Sequence, residues 1–250
     1  MLLTILFFTF IGSILSLIGG IILLLRKKSI LNVAHLLISF AAGTLLGTAF
    51  FDLLPEAVGM TESSNVFLFT LGGILFFFIL ERFVHWFHSH KDEGLKNDDH
   101  TSMSTVPLII IGDTVHNFID GVVIAATFLV NVPVGIVTAL AIAAHEIPQE
   151  IGDFAILLHR KMEKRRVVIV NLLSASSSIA GALLTFYMKD YIEGLLPLFL
   201  SITAGFFIYI ASSDLIPEIH HEKRKGFAIY ETLLLFFGVF LVYVLVRMLE

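Results

Sequence analysis

Residues 39–56 read SFAAGTLLGTAFFDLLPE, and this stretch decides the fold class. It contains no charged side chain before Asp52, and the apolar run to which it belongs begins near residue 32. A bilayer core of about 30 Å needs a helix of roughly 20 mostly apolar residues. The same criterion, applied outward along the chain, predicts eight spans: 2–25, 32–56, 66–87, 106–130, 134–158, 167–188, 195–217 and 228–247.

The composition agrees with a membrane protein. Of the 250 residues, 57% are hydrophobic and 15% are charged, whereas soluble domains have about 45–50% and about 25%. The apolar runs are too long for barrel strands of about 9–11 residues, and backbone groups in lipid need partners within the protein. We therefore expect an all-α membrane protein. The absence of cysteine excludes thiolate metal sites, and the net charge of −5 offers no basic domain for nucleic acid.

Basic residues predict the orientation. Of the 16 Lys and Arg residues, 14 lie in or beside the loops after predicted spans 1, 3, 5 and 7. Only Lys189 and Arg247 fall on the other side. The positive-inside rule places those four loops in the cytoplasm and both termini outside.

The opening stretch has a second copy. Residues 201–218 read SITAGFFIYIASSDLIPE, so that Gly43 and the ending Asp52 to Glu56 recur 162 residues later, as Gly205 and Asp214 to Glu218. Five spans separate the copies, an odd number, so they cross the membrane in opposite directions, as in an inverted-topology repeat. Gly43 also begins a G-x-x-x-G motif, which favours a close helix contact.

The repeat predicts the domain organisation. We expect a single transmembrane domain over residues 1–250, in a 3+2+3 arrangement. It has a first helical triplet (1–90), a central metal-binding helix pair (106–160) and a second triplet (167–250). A cytoplasmic loop at 89–105 bears His and Asp residues. This loop is either a cytosolic metal trap or a solvated linker.

Polar and ionisable residues concentrate in the central pair. Predicted span 4 carries them at a helical spacing that puts them on one face, and predicted span 5 carries a second group. Such groups cost at least about 2.5–3.5 kcal/mol each at the bilayer centre, and neither span core has a Lys or Arg to neutralise them. His and carboxylate side chains on neighbouring helices favour a divalent-cation site. The residues are Asp113, His116, Asn117 and Asp120, and His145, Glu146, Gln149, Glu150 and Asp153.

Two other interpretations of these polar residues compete with a metal path. Buried polar residues can hold helices together, although Asn or Ser would do so at lower cost. The segment HEIPQ at 145–149 resembles the zincin motif H-E-x-x-H, but Gln149 replaces the second histidine and Pro148 lies inside the motif. We therefore expect no enzyme. An intramembrane zinc-dependent hydrolase, with Glu146 or Glu150 as the base, is the alternative, and a channel for the same ion is a third.

The segments HNFIDG at 116–121 and HEIPQEIGDFAILL at 145–158 closely resemble spans 4 and 5 of the ZIP (Zrt-, Irt-like protein) family of divalent-metal transporters. The resemblance extends over the whole chain. It implies eight spans in a 3+2+3 inverted arrangement, both termini outside, and import of zinc, or in some members of iron, manganese or cadmium, into the cytoplasm.

The resemblance also implies roles for the site residues. By position, His116, Asp120, His145 and Gln149 match the first metal site, and Asn117 and Glu146 match second-site or bridging ligands. Three features depart from the family pattern: Gln149 stands in place of a histidine, Asp120 in place of a glutamate, and residues 171–188 lack the acid that completes a second site.

Together these observations predict a metal importer. Asp52 and Glu56 would gather the ion outside. The transported substrate would be Zn²⁺, or Cd²⁺, Fe²⁺ or Mn²⁺, with no catalytic cofactor. We expect a multi-pass protein of the cell membrane (plasma or inner membrane) whose partners are the metal ion and the lipid bilayer. Whether two copies form a homodimer is left open. The route inward would use Asp113, Glu150, Asp153, Asp214 and Glu218.

Overall fold

The computed structural model describes residues 1–14, 16–25, 27–89, 106–159, 161–220 and 226–249. Within these ranges all regular secondary structure is helical, and the predicted all-α fold class is confirmed. Eight described helices are long and apolar enough to cross a membrane. They are α1 (Leu2–Ile22), α2 (Leu36–Met60), α3 (Ser63–Leu80), α4 (Ile110–Val130), α5 (Val132–Leu158), α6 (Lys164–Tyr187), α7 (Leu196–His220) and α8 (Ala228–Leu249).

Several helices continue beyond these apolar windows. The helical backbone around α1 consists of Leu2–Thr9, a π-helical turn at Phe10–Ile14, and Leu17–Leu25. A helix from Lys27 to Thr48 leads into α2. The helices that contain α3, α4, α5 and α8 span Ser63–Ser89, Val106–Val130, Val132–His159 and Phe227–Leu249. Apart from Ser89, the predicted loop at 89–105 lies outside the described residues.

The two copies of the repeated segment share an interruption. In α2 and α7 a π-helical turn precedes a last helical segment, whose first turn contains Pro55 or Pro217. Proline has no N–H and clashes with the carbonyl of residue i−4, which widens the preceding turn. Both helices run past their predicted ends, which were Glu56 for α2 and Pro217 for α7. The π turns are Ala49–Leu53 and Ile210–Leu215, and the last segments are Leu54–Met60 and Ile216–His220.

Burial divides the helices into an inner and an outer group. More than half of the apolar window is buried in α2, α4, α5 and α7, compared with 17% in α8 and 22% in α3. The exposed side chains of α8 are mostly large and apolar, such as Phe236 and Phe240. The inner helices therefore carry the polar residues, and α3 and α8 present apolar surface of the kind that faces lipid.

Glycines set the closest helix contacts. A Cβ atom built on Gly43 of α2 would lie 2.0 Å from the carbonyl oxygen of Leu235 in α8. A Cβ atom on Gly205 of α7 would lie 2.3 Å from the carbonyl oxygen of Thr70 in α3. Because only glycine permits so close an approach, the close contact predicted at Gly43 is confirmed. Its repeat partner Gly205 makes an equivalent contact.

Four helix pairs run parallel. Along α2 and α8, the Phe40 ring lies 6.0 Å from the Phe237 ring, and farther along both helices Phe51 lies 5.6 Å from Tyr243. The residue numbers increase together, so the two helices point the same way. The other pairs show the same order: Gly73 with Ile202 and Phe77 with Tyr209 (α3, α7), Thr114 with Ser174 and Gly121 with Ser178 (α4, α6), and Gly12 with Ala139 and Gly19 with Ile147 (α1, α5).

These pairs match the predicted repeat. A chain that crosses the membrane eight times in alternation has odd-numbered spans parallel to odd and even parallel to even. Each of the four pairs obeys this rule. The predicted repeat relates α1, α2 and α3 to α6, α7 and α8 in that order, and α4 to α5. Under this relation the pair α1/α5 corresponds to the pair α6/α4. The pair α2/α8 likewise corresponds to the pair α7/α3. The 3+2+3 grouping and the side on which the termini lie stay predictions, and these contacts support the grouping.

Candidate metal site

Four side chains from α4 and α5 converge on one point. They are His116 and Asp120, one turn apart on α4, and His145 and Glu146 on α5. One ligand atom from each lies within 4.8 Å of all the others. Since i and i+4 side chains share a helix face, α4 presents His116 and Asp120 together. His145 and Glu146 are consecutive residues of α5, and both reach the same point.

The spacing of these atoms suits a single ion. The two Nε2 atoms of His116 and His145 are 3.4 Å apart. His116 Nε2 lies 3.8 Å from Asp120 Oδ2 and 3.4 Å from Glu146 Oε1, and His145 Nε2 lies 3.6 and 3.8 Å from the same two oxygens. A tetrahedral zinc ion with bonds of about 2.0–2.2 Å has ligand atoms about 3.3–3.6 Å apart. A contraction of a few tenths of an ångström would complete the coordination.

The carboxylates of the site lack other compensation. Glu146 is fully buried, and neither of its oxygens has a hydrogen-bond partner. Asp120 is also buried, and its Oδ2 has none. Burying such a group without a partner is costly. A divalent cation among the four ligands would offset this cost, which is the reason the cluster fits a metal.

Neighbouring groups orient both imidazoles. His145 Nδ1 lies 3.3 Å from the carbonyl oxygen of Ala141. A hydrogen bond donated there leaves Nε2 without a proton and facing the cluster, as metal-binding histidines require. The His116 ring stands edge-on to Phe77 of α3, 6.0 Å between centroids, and the His145 ring lies 6.3 Å from that of Phe207 in α7. The outer and inner helices thus enclose the site.

The two remaining predicted ligands lie beside the cluster. Asn117 donates hydrogen bonds from Nδ2 to the carboxylate of Asp113, at 2.9 Å, and to its backbone carbonyl, at 3.2 Å. The amide oxygen of Asn117 is buried and has no hydrogen-bond partner. Gln149 also interacts with the Asp113 carboxyl group. Asn117 and Gln149 therefore share a contact with Asp113.

The predicted pathway residues differ in exposure. Asp113 and Glu150 are buried, and both oxygens of Glu150 lack a hydrogen-bond partner. Asp153 is half-buried. Asp214 and Glu218, at the end of α7, are exposed. These groups therefore differ in their burial among the helices, from the fully buried Glu150 to the exposed Asp214 and Glu218.

A cavity of about 390 Å³ lies where α2 ends and α5 begins. Asp52, which is buried, and Glu56, which is half-buried, line it. The cavity walls are otherwise mostly apolar: Phe51, Pro55, Asn131, Pro133, Val134, Val137, Val246 and Leu249. The two carboxylates that we predicted to gather the ion thus face the same space.

The comparison with protein families shows to which family the chain belongs. The model of the ZIP Zinc transporter family matches residues 1–107 and 88–246. The chain belongs to the ZIP family. The resemblance read from HNFIDG and HEIPQE is thereby confirmed.

Individual ZIP relatives agree with the assignment. Zinc transporter ZIP13 of Pongo abelii is 34% identical over 81% of this chain and 64% of its own length. Zinc transporter ZIP10 of Danio rerio is 38% identical over 47% of the chain and 14% of its length. Metal cation symporter ZIP14 of Xenopus tropicalis is 27% identical over 85% and 60%. This ZIP chain therefore spans less than two thirds of the length of these relatives. Their names describe transporters and not enzymes, so we set the hydrolase alternative aside.

Sequence reasoning missed several neighbours of the site. The rings of Phe77 and Phe207 carry no signal that separates them from the many other phenylalanines of this ZIP chain. The Ala141 carbonyl is a backbone group, invisible to motif searches. Asn131, in contrast, could have been found. An asparagine before the start of a span is a helix N-cap signal, and Asn131 lies next to the cavity that contains Glu56.

Removing one carboxylate from the cluster tests whether it binds metal. We expect Asp120→Asn to weaken Zn²⁺ binding by about 100-fold, since a four-ligand zinc site binds with about 10–16 kcal/mol and each ligand supplies about a quarter. Isothermal titration of the full chain in detergent measures this. Asp190→Asn, which removes an exposed carboxylate after α6, is the matched control. Equal affinities of the two variants would contradict the assignment.

Proposed function

We propose that this protein moves a divalent metal ion, most readily zinc, across the membrane and into the cytoplasm through the site between α4 and α5. The observation that carries the proposal is the four-ligand cluster of His116, Asp120, His145 and Glu146, with its atoms at near-tetrahedral spacing. Two imidazoles with two carboxylates suit Zn²⁺. Cd²⁺, Fe²⁺ and Mn²⁺ accept the same donors and are the competing substrates.

We infer the direction of transport from the distribution of Lys and Arg residues and from the helix ends at which the cavity lies. Lys and Arg residues cluster in or beside four loops, which the positive-inside rule assigns to the cytoplasm. The cavity with Asp52 and Glu56 then lies on the outside, because α2 ends there and α5 begins there. The ion would enter at these carboxylates, exchange its hydration shell for the cluster, and leave past Asp113, Glu150 and Asp153. Asp214 and Glu218 would receive it at the cytoplasmic end of α7.

The parallel helix pairs support alternating access. In transporters with inverted repeats, one group of helices rocks against another about a site at the midplane. Here the site lies between α4 and α5, the two helices that the repeat places at its centre. The glycine contacts join α2 to α8 and α3 to α7. We infer that these pairs move as units and that their movement opens the site to one side at a time.

Other parts of the proposal concern the cellular setting. The eight helices that could cross a membrane and the ZIP family make this a multi-pass membrane protein, and we propose the cell membrane, plasma or inner, as the location. No catalytic cofactor is required, because the metal is the substrate. The loop at 89–105 would bind metal weakly on the cytoplasmic side or serve as a linker. A homodimer stays an open prediction.

A panel of metals tests the function. We expect purified protein in liposomes to take up Zn²⁺ saturably, Cd²⁺, Fe²⁺ or Mn²⁺ at lower efficiency, and Mg²⁺ not at all, because Mg²⁺ prefers oxygen ligands and keeps its water. Radiotracer uptake at graded concentrations gives both the preference and the kinetics. A rate that rises linearly without saturation would favour a channel. Mg²⁺ uptake equal to Zn²⁺ uptake would overturn the proposal.

A further inference from the structure

Asn131 joins the outer cavity to the helix that carries the metal ligands. Its side-chain nitrogen Nδ2 donates a hydrogen bond to Oε1 of Glu56, at 3.1 Å. Its side-chain oxygen Oδ1 accepts one from the backbone N–H of Val134, at 2.8 Å. The second bond caps the first turn of α5. Because the cap fixes the oxygen, it also fixes the direction in which the amide nitrogen points, which is toward Glu56.

The bond affects only one of the two Glu56 oxygens. Oε1 accepts from Asn131, and Oε2 is left to interact with what enters the cavity. A half-buried glutamate without such a partner would sample several rotamers and lose that freedom whenever it bound a cation. Asn131 removes this loss in advance, since the carboxylate is already held in place. Asp52 faces the same cavity.

The cavity is aligned with the metal site along α5. Val134 and Val137 line the cavity, Ala141 accepts the hydrogen bond from His145, and His145 is a ligand. Spacings of three, four and four residues place all of them on one face of the helix. At 1.5 Å per residue, the cavity residues Val134 and Val137 lie about 16 Å and about 12 Å along the helix from His145. An ion held at Glu56 is therefore already on the face of α5 that leads to the cluster.

We propose that Asn131 is a positioning residue of the outer mouth, holding Glu56 so that its free oxygen captures a hydrated divalent cation before the cation reaches His145. The inference rests on the proposed transport function. It assigns Asn131 to the capture step and not to the later exchange of ligands. Its loss should therefore change the KM for the ion and leave kcat unaltered.

A variant that keeps the helix cap separates the two bonds of Asn131. Asn131→Ser caps helices well but donates no amide hydrogen bond to Glu56. We expect it to raise the KM for Zn²⁺ uptake in proteoliposomes by about 2- to 10-fold, the cost of ordering one side chain, with kcat unchanged. Glu56→Gln should raise KM at least as much. Glu62→Gln, which removes an exposed carboxylate beyond α2, is the matched control and should resemble the unaltered protein.

The double variant Asn131→Ser with Glu56→Gln decides whether Asn131 acts through Glu56. We expect its KM to equal that of Glu56→Gln alone. Additive effects, or an Asn131→Ser protein with unaltered KM, would overturn the proposal. If Glu56→Gln leaves KM unchanged while the protein still transports Zn²⁺, the mouth assignment fails and the transport function stands. If the unaltered protein transports no metal, both fail.

Discussion

Replacing both His116 and His145 by alanine is expected to reduce Zn²⁺ uptake in proteoliposomes to the rate of protein-free vesicles. The two Nε2 atoms lie 3.4 Å apart, and His116 Nε2 lies 3.4 Å from Glu146 Oε1. These are the shortest of the ligand distances given above. At about 3 kcal/mol per ligand, losing two imidazoles weakens binding by about 10⁴-fold. The carboxylates would then face each other in a buried site with no cation to bridge them.

His220→Ala is the control for this pair, because His220 is exposed at the end of α7, outside the cluster. It should retain uptake. Equal flux for the double variant and the unaltered protein, for every metal tested, would show that ions cross by another route. A size-exclusion profile of each variant separates loss of ligands from loss of fold.

Gly121→Ala is expected to have the largest effect on stability. A Cβ atom on Gly121 would lie 1.8 Å from the carbonyl oxygen of Ser178 in α6. That oxygen belongs to the backbone, so α4 and α6 would have to separate. Such overpacking costs about 1–3 kcal/mol, or about 2–12 °C in Tm for a chain of this size. Because Asp120 precedes Gly121, the shift would also displace a ligand, and Zn²⁺ affinity should fall.

The chain supplies a matched control for this substitution. Gly152 lies on α5, and a Cβ atom there would meet no other part of the described structure within 4 Å. Gly152→Ala should leave Tm unchanged or raise it slightly, because alanine favours a helix over glycine. Thermal unfolding followed by light scattering gives the Tm of both variants. Equal Tm and equal Zn²⁺ affinity for the two variants would contradict the packing described for α4 and α6.

The features that sequence predicted well are local ones. Eight spans follow from runs of apolar residues, and α4 and α5 begin and end close to the predicted positions. The stripe from Asp113 to Asp120 follows from the helical repeat alone. His116, Asp120, His145 and Glu146 were all among the predicted ligands, because an ionisable residue in an apolar span stands out. The structure adds which of them converge.

Other features were not predicted from the sequence. The amide nitrogen of Asn117 donates a hydrogen bond to Asp113, a contact within α4 that the ligand pattern does not reveal, and metal binding by the amide oxygen of Asn117 stays a prediction. The pairing of α4 with α6 depends on Gly121 and Gly181, two glycines 60 residues apart with no shared motif. The helices α2 and α7 also continue through π turns and past Pro55 and Pro217. Of these features, only the pairing of α4 with α6 depends on tertiary contacts.

The most direct test of the account is to locate zinc by anomalous scattering in crystals of the zinc-loaded protein. The account predicts a peak between α4 and α5, within about 2.2 Å of Nε2 of both His116 and His145. Oxygens of Asp120 and Glu146 should complete the coordination. Zinc bound elsewhere, with no peak between these helices in a protein that transports zinc, would contradict it.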